Sequence, residues 1–381
     1  MILPIKHYPV NWIDGMKISQ QHFIEQENHI IDSIRDANSV AINNFNYGLL
    51  PMPDLLANQS FYEIISTATN DAQLIIKRCS AITMAGFRIE LTDYKVNIRS
   101  LAHEFGNDAI DSDGEYYILS SVNLFEKIPF GEIDSEEIPP RHPYTKSKYK
   151  IELVNSTILN SSFSGGNYLL LGKVLIKSNT AQIDHNFIPP CTSVQSHPKL
   201  IEYYNNFNSS LANLRQSAFK IIQKSAHKNQ NTALAKNVKN LCVILVKEVG
   251  DSYFDFKNIA PHQPPIYLVE ILSKLALHLF NEMQMMVAAE LEELLNYSLE
   301  WSEIAPHTIL NNLTNVSEIN YDHHDSGESF LLINQLLESL EIVFRKLSEL
   351  DYIGQRKESI IVNEQEVKSN VDPKKGWSVI D

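Results

Sequence analysis

The chain has 381 residues, 44% of them apolar, and a formal net charge of -14. That length supports two or three domains, each able to bury a core. So acidic a chain is a poor partner for nucleic acid or anionic lipid, whose phosphates are held by Lys and Arg, and plain solubility accounts for the charge.

In chain order, the first feature is "NWIDGMKISQQHF" (Asn11 to Phe23), where an Asp-Gly turn precedes a polar cluster flanked by aromatics. Ser19 is the expected N-cap of a helix. Phe23, Ile30, Ile31, Ile34 and Ala41 then recur at helical spacing and form its expected core face. Beyond Pro51 the period changes. "SFYEIISTA", "AQLIIKRCSAITM", "GFRIELT", "EYYILSSVNLF", "YKIELVNSTI" and "YLLLGKVLIKS" are short, rich in β-branched and aromatic residues, and divided by Gly, Asn, Asp and Pro clusters. This spacing predicts an antiparallel sandwich or barrel. The loop from Gly131 to Lys148 is long, polar and contains three prolines, so it is expected to be exposed and mobile.

After "FIPPC" (Phe187 to Cys191) the strand pattern stops. Leu200, Tyr204, Phe207, Leu211, Leu214, Ala218, Ile221 and Ile222 mark a first long helix, and "TALAKNVKNLCVILVKEVGDSYF" a second. "PPIYLVEILSKLALHLFNEMQMMVAAELEELLNY" reads as one continuous third helix whose apolar residues cover more than one stripe. Such coverage predicts burial on several sides, by bundle neighbours and by other subunits. Its Met residues are expected as core filler. Glu328 to Leu350 is a fourth amphipathic helix, and four helices with short turns argue for a bundle. The expected fold class is α+β: a β-rich segment with a leading helix over 1–190, a helical bundle over 191–352, and a tail over 353–381 too poor in large apolar residues to fold alone.

Chemistry is thinly represented. Cys79, Cys191 and Cys242 are too scattered for a disulfide framework or a thiolate zinc site and fit a reducing cytoplasm. No basic-then-apolar leader opens the chain. The purest apolar run, Leu241 to Val246, is far short of the ~20 residues that span a bilayer. The apolar stretch near Leu268 is broken by Ser273, Lys274, His278 and Glu282, so direct membrane insertion is not expected. "DHHD" (Asp322 to Asp325) offers four possible metal ligands, but adjacent residues rarely converge on one ion, and a polar inter-helix loop is the better reading. His22 has no Ser or Cys motif beside it. Ser164 to Gly166 lacks the Lys-Ser/Thr and helix of a phosphate loop and reads as a hairpin turn. No cofactor and no catalysis are expected.

Three stretches, in order and with fitting distances, resemble the TssK family, the trimeric baseplate subunit of type VI secretion systems. The opening signature is carried by Trp12, Asp14, Gly15, Met16, Ile18, Gln21, His22 and Phe23, with Gln20 where the family usually has Pro. The junction between strands and helices is carried by Asp184, Phe187, Ile188, Pro189, Pro190, Cys191 and Pro198. A Pro-led helix is carried by Pro264, Tyr267, Val269, Leu272, Leu275 and Ala276. The resemblance covers roughly residues 8 to 300. It departs at "AGFRIEL", where the family usually has Asp-Gly, and in lacking a counterpart of the C-terminal head of longer members.

The resemblance implies a β-sandwich shoulder like those of phage receptor-binding adaptors, followed by a helical neck through which three copies trimerise. It implies a cytoplasmic protein, recruited to the inner face of the cytoplasmic membrane, whose shoulder docks on a TssF/TssG wedge and whose far end faces the membrane complex. Trp12, Gln20, Gln21, His22 and Phe23 would then form the wedge interface. Trp12 and Phe23 have a second reading, as a staple packing the first helix against the sandwich. Phe187, Pro189 and Pro190 would form the domain junction, and Leu268, Leu272, Leu275 and Leu279 the trimer core. Trp377, Val379 and Ile380 would form a short docking motif for the membrane complex, or else fold back on the bundle. The alternatives are a phage-tail-like receptor-binding adaptor outside any secretion system, and a metal-dependent hydrolase using His323 and His324.

Overall fold

In the computed structural model, which describes residues 5–51, 62–66, 72–97, 114–155, 166–177, 180–228 and 230–357, the change of apolar period near residue 190 is also the change from strands to helices. The fold is α+β. Helix α1 (Gln20–Ser39) leads into eight strands: β1 (Gly48–Leu49), β2 (Tyr62–Ser66), β3 (Ala72–Ile82), β4 (Arg88–Asn97), β5 (Gly114–Phe130), β6 (Tyr144–Asn155), β7 (Tyr168–Lys177) and β8 (Thr180–Ile183). Helices α2 (Pro198–His227), α3 (Ala233–Asn258), α4 (Pro265–Gln284), α5 (Ala288–Ser302), α6 (Pro306–Ser317) and α7 (Gly327–Glu349) follow.

Among the described residues these strands pair antiparallel, and Leu49 of β1 also makes an isolated parallel bridge to Cys191. In the first sheet β3 is central, paired with β4 along most of its length and with β2 and β1 near its two ends. The second sheet has the order β6-β5-β7-β8. Period-two alternation sets the register, so Leu74 faces Val96, Cys79 faces Leu91 and Ala81 faces Ile89. Leu74, Ile76, Ile89 and Leu91 of one sheet, and Ile118, Ile151, Leu169 and Val174 of the other, are buried. A Cβ on Gly172 in β7 would lie 2.5 Å from the Tyr62 hydroxyl of β2, so glycine permits this close approach of the two sheets.

The chain forms two compact units, and four of the five crossings between them fall inside helices, the fifth in the loop after α6. The first comprises Met1–Asn206, Phe254–Ile271 and Asn320–Leu331, and the second Phe207–Tyr253, Leu272–Ile319 and Leu332–Asp381. The second unit is a helical bundle. Leu214, Ala218, Leu245, Leu272, Leu279, Leu313 and Leu336 are buried there, each leucine contributing about 1.5–3 kcal/mol.

Three sequence expectations change. The continuous third helix is two helices, α4 and α5, interrupted at residues 285–287, where Val287 is extended (φ -63, ψ 141). Met285 and Val287 are exposed there rather than filling a core. No Gly or Pro marks the break, so local propensity does not reveal it. A further helix, α6, follows Pro306, which occupies the first turn where its missing N–H costs nothing. The polar loop after β5 is exposed, as expected, and carries bonds of its own: Asp134 and Arg141 form an antiparallel bridge, the Glu136 N–H donates to Asp134 Oδ1 (2.9 Å), and His142 Nδ1 donates to the Gly131 carbonyl (2.8 Å). Ser164 and Gly165 lie outside the described residues; Gly166 has φ +69 and its carbonyl accepts the Ala85 N–H at 3.0 Å.

The chain leaving α7 is also fastened. Lys224 Nζ donates to the carbonyls of Ser348 (2.7 Å) and Leu350 (2.8 Å), a cation on the helix's free acceptors. The Gly354 N–H donates to the Tyr297 hydroxyl (2.9 Å), Trp301 Nε1 to the Gln355 carbonyl (3.2 Å), and Arg356 pairs with Glu300 (2.8 Å). The part of the expected tail up to Lys357 is therefore tied to α5.

Candidate functional site

Residues ahead of α1 run antiparallel beside the helix. The N–H groups of Lys6 and His7 donate to Asp32 Oδ2 (3.0 and 3.1 Å), and that of Val10 to Gln26 Oε1 (3.3 Å). His29 Nδ1 donates to the His7 carbonyl at 3.2 Å. Arg35 Nη1 donates to the other Asp32 oxygen (3.1 Å), and Arg35 also grips Asp36 (2.8 Å). Burial alone would raise the Asp32 pKa. The two backbone N–H groups and the Arg35 guanidinium overcome that and hold it below its ordinary value.

This arrangement corrects the expected core face of α1. The buried residues are Asn28, Asp32 and Arg35, while Phe23, Ile30 and Ile34 are 61, 48 and 51% exposed and Ala41, past the helix end, is also exposed. An apolar stripe fixes which residues can be buried together, not which side of the helix a neighbour covers. Here the polar side is covered because its charges arrive paired. Unpaired, they would not be buried.

The five predicted interface residues come together at the start of α1. The turn at Ile13–Met16 closes with the Met16 N–H on the Ile13 carbonyl (3.3 Å), with Gly15 at φ +77. Ser19 is the N-cap, as expected. Its backbone N–H donates to His22 Nδ1 (3.1 Å), so His22 acts where Glu or Gln usually stands and, when neutral, carries its proton on Nε2. Gln21 donates to Glu25 (2.7 Å), and Gln20 is exposed. The Trp12 ring sits 6.0 Å from His22 and 6.3 Å from Phe23. Trp12 and Phe23 therefore pack on each other and stay outward, and the staple reading against the sandwich is not what the structure has.

The surface extends onto β5, which sequence reading did not include. The His7 ring lies 4.6 Å from that of Phe125, and Lys127 pairs with Glu27. Ile128 and Phe130 beyond them are exposed, with Lys146 Nζ 4.8 Å from the Phe130 ring centre. The signal was present in "NLFEKIPF", where apolar residues continue past the length needed to cross the core. Outward apolar residues at this density on one layer suit protein contact.

Phe187, Pro189 and Pro190 are buried, inside the first compact unit. The Leu49 N–H donates to the Pro190 carbonyl (2.7 Å), and the Thr192 N–H returns to the Leu49 carbonyl (2.9 Å). A Cβ on Gly48 (φ +119) would fall on the Pro190 carbonyl, so only glycine fits. The "DHHD" segment closes the other side. The Ile188 N–H donates to Asp325 Oδ1 (3.3 Å) and the Ser326 N–H to the Ile188 carbonyl (3.2 Å). The segment is an inter-helix loop, as expected, but His323 within it is buried. Its Nε2 donates to the Tyr47 carbonyl (2.8 Å), leaving Nδ1 to accept from the Tyr321 hydroxyl (2.9 Å). Burial lowers its pKa to about 4. Among the described residues no group of three or more His, Cys, Asp or Glu is placed to hold a metal. The three cysteines are buried and unpaired.

Leu268, Leu272, Leu275 and Leu279 do not form a surface for other copies. All four are buried within the single chain, and Leu279 shares a small cavity with Leu294 of α5 and with Ile309 and Leu313 of α6. Trp377, Val379 and Ile380 lie outside the described residues. Among the described residues no helix is long and apolar enough to cross a membrane.

No protein-family profile and no curated protein matches the sequence. Solved structures do. A crystal structure of TssK is 16% identical, with a TM-score of 0.50, over 87% of this chain and 69% of that one. A chain of a type VI secretion system TssK-TssF-TssG baseplate subcomplex is 13% identical, TM-score 0.48, over 88% of this chain and 99% of that one. A TssK from the EAEC system bound to a nanobody is 13% identical, TM-score 0.49, over 83 and 68%. The chain has a TssK-like fold.

Proposed function

We propose that the chain is a structural baseplate subunit of a type VI secretion system, a cytoplasmic homotrimeric adaptor without catalysis. The N-terminal arm and the start of α1, with Trp12, Gln20, Gln21, His22 and Phe23, dock on a TssF/TssG-type wedge. The bundle end or the tail, with Trp377, Val379 and Ile380, meets a membrane-complex protein at the inner face of the cytoplasmic membrane. The observation that carries the reading is the outward apolar surface of α1 on a TssK-like fold: a helix whose polar side is used inside needs a partner outside. Trimer contacts fall on outward residues such as Phe219, Val243 and Leu277, in place of the four buried leucines. The test is co-purification with the co-expressed wedge pair, before and after deletion of residues 1–18, with light scattering for the mass of three chains. Wedge capture by the intact chain and its loss on deletion support the proposal. No capture by the intact chain, or a stable monomer at micromolar concentration, refutes it.

A further inference from the structure

Resting on that reading, we infer that the partner on α1 is a single amphipathic α-helix of a wedge protein, laid along a seam formed by Phe23, Glu27, Ile30, Ile34 and Ala37. These positions recur at steps of four and three, the spacing of a coiled-coil seam. Ile24 and Ile31 flank it on one side, and Gln26 and Ser33 on the other. The inward residues Asn28, Asp32 and Arg35 fall on the opposite positions of the same repeat. The helix cannot roll to hide the seam. Its inward face is held by the Lys6 and His7 N–H groups on Asp32 and by the Asp32–Arg35 pair. The seam spans fourteen residue steps, about 21 Å at helical rise, which matches about four turns of a partner.

Periodicity selects a helix as occupant, since an extended segment has no reason to find apolar positions at 3.5-residue spacing. Charge selects a different chain over a second copy. Glu27 is the one charged position of the seam, with a side chain 56% exposed even while one oxygen pairs with Lys127. Parallel copies in register, as in the proposed trimer, would bring Glu27 against Glu27, whereas a helix carrying Lys or Arg opposite it gains a charge-assisted contact. The flanking positions carry no charge, so the apolar seam and this one carboxylate set the choice of partner. The seam also continues from Trp12 and Phe23, which the proposed wedge interface already includes.

The experiment uses the full chain and the co-expressed wedge pair. Because Cys79, Cys191 and Cys242 are buried, a benzophenone maleimide will label Ile30→Cys or Ile34→Cys selectively. Photocrosslinks from both should enter one wedge segment whose apolar residues step by three and four around a Lys or Arg. Ile30→Glu and Ile34→Glu should each weaken wedge binding at least about 30-fold, the size of one lost interface anchor, with circular dichroism and melting midpoint unchanged. Glu27→Lys should weaken binding and Glu27→Asp should preserve it. Crosslinks to a second copy, crosslinks to a segment without that spacing, or full binding by the glutamate variants would overturn the inference while leaving the baseplate reading standing. Failure of the unmodified chain to bind the wedge would remove both.

Discussion

His323→Gln separates a histidine that only bridges Tyr47 and Tyr321 from one that also makes that bridge acid-sensitive. In the folded chain His323 is buried with both ring nitrogens engaged, and its pKa is lowered to about 4, first by burial and further by the neighbouring His324. An unfolded histidine titrates near pH 6.5. As pH falls below that value the unfolded chain takes the proton first, which favours unfolding. The contribution is therefore fully present above about pH 6.5 and is lost as pH falls toward 4. Over that window the slope from one group is about 1.4 kcal/mol per pH unit, and the total is about 3 kcal/mol. His197, whose pKa is also lowered to about 4 by burial and by Lys199, adds in the same direction. Glutamine can donate to the Tyr47 carbonyl and accept from Tyr321 but cannot take a proton. Urea unfolding followed by circular dichroism at several pH values between about 7 and 4.5 should show the variant near wild-type stability at neutral pH, with a slope shallower by about 1.4 kcal/mol per unit. Equal slopes in the two proteins would show that His323 does not titrate across folding and would refute the reasoning.

Arg35→Ala leaves the Asp32 carboxylate buried with only the Lys6 and His7 N–H groups. It should cost about 2 kcal/mol, below the usual loss for a broken buried pair because those bonds remain, and calorimetry checks it. Gly48→Ala places a methyl on the Pro190 carbonyl at a backbone angle that favours glycine, and should cost more than about 3 kcal/mol or abolish soluble expression. Leu275→Glu puts an unpaired carboxylate into the core of one chain. It should unfold the bundle, with loss of helical circular dichroism, rather than yield folded monomers.

Periodicity is a local property, and what depended on it was legible without coordinates. The strands from β2 to β7, the change to helices after Pro190, the N-cap at Ser19 and the Asp-Gly turn all follow from residues within a few positions of one another. Other features are decided by partners distant in sequence. Whether Leu279 is covered by the same chain or by another depends on α5 and α6, the first hidden in what read as one long helix and the second a short helix whose stripe of Ile309, Leu313 and Val316 sequence reading passed over. Met285–Val287 breaks without Gly or Pro, so only packing sets it. His323 became structural because Tyr47, 276 residues away, offers it a carbonyl. The direction in which α1 faces is the sharpest case. Its sequence contains an apolar stripe and a polar stripe, and either can be buried if its groups are satisfied. Two backbone N–H groups and one arginine satisfy Asp32, so the tertiary structure buries the polar stripe and leaves the isoleucines outside.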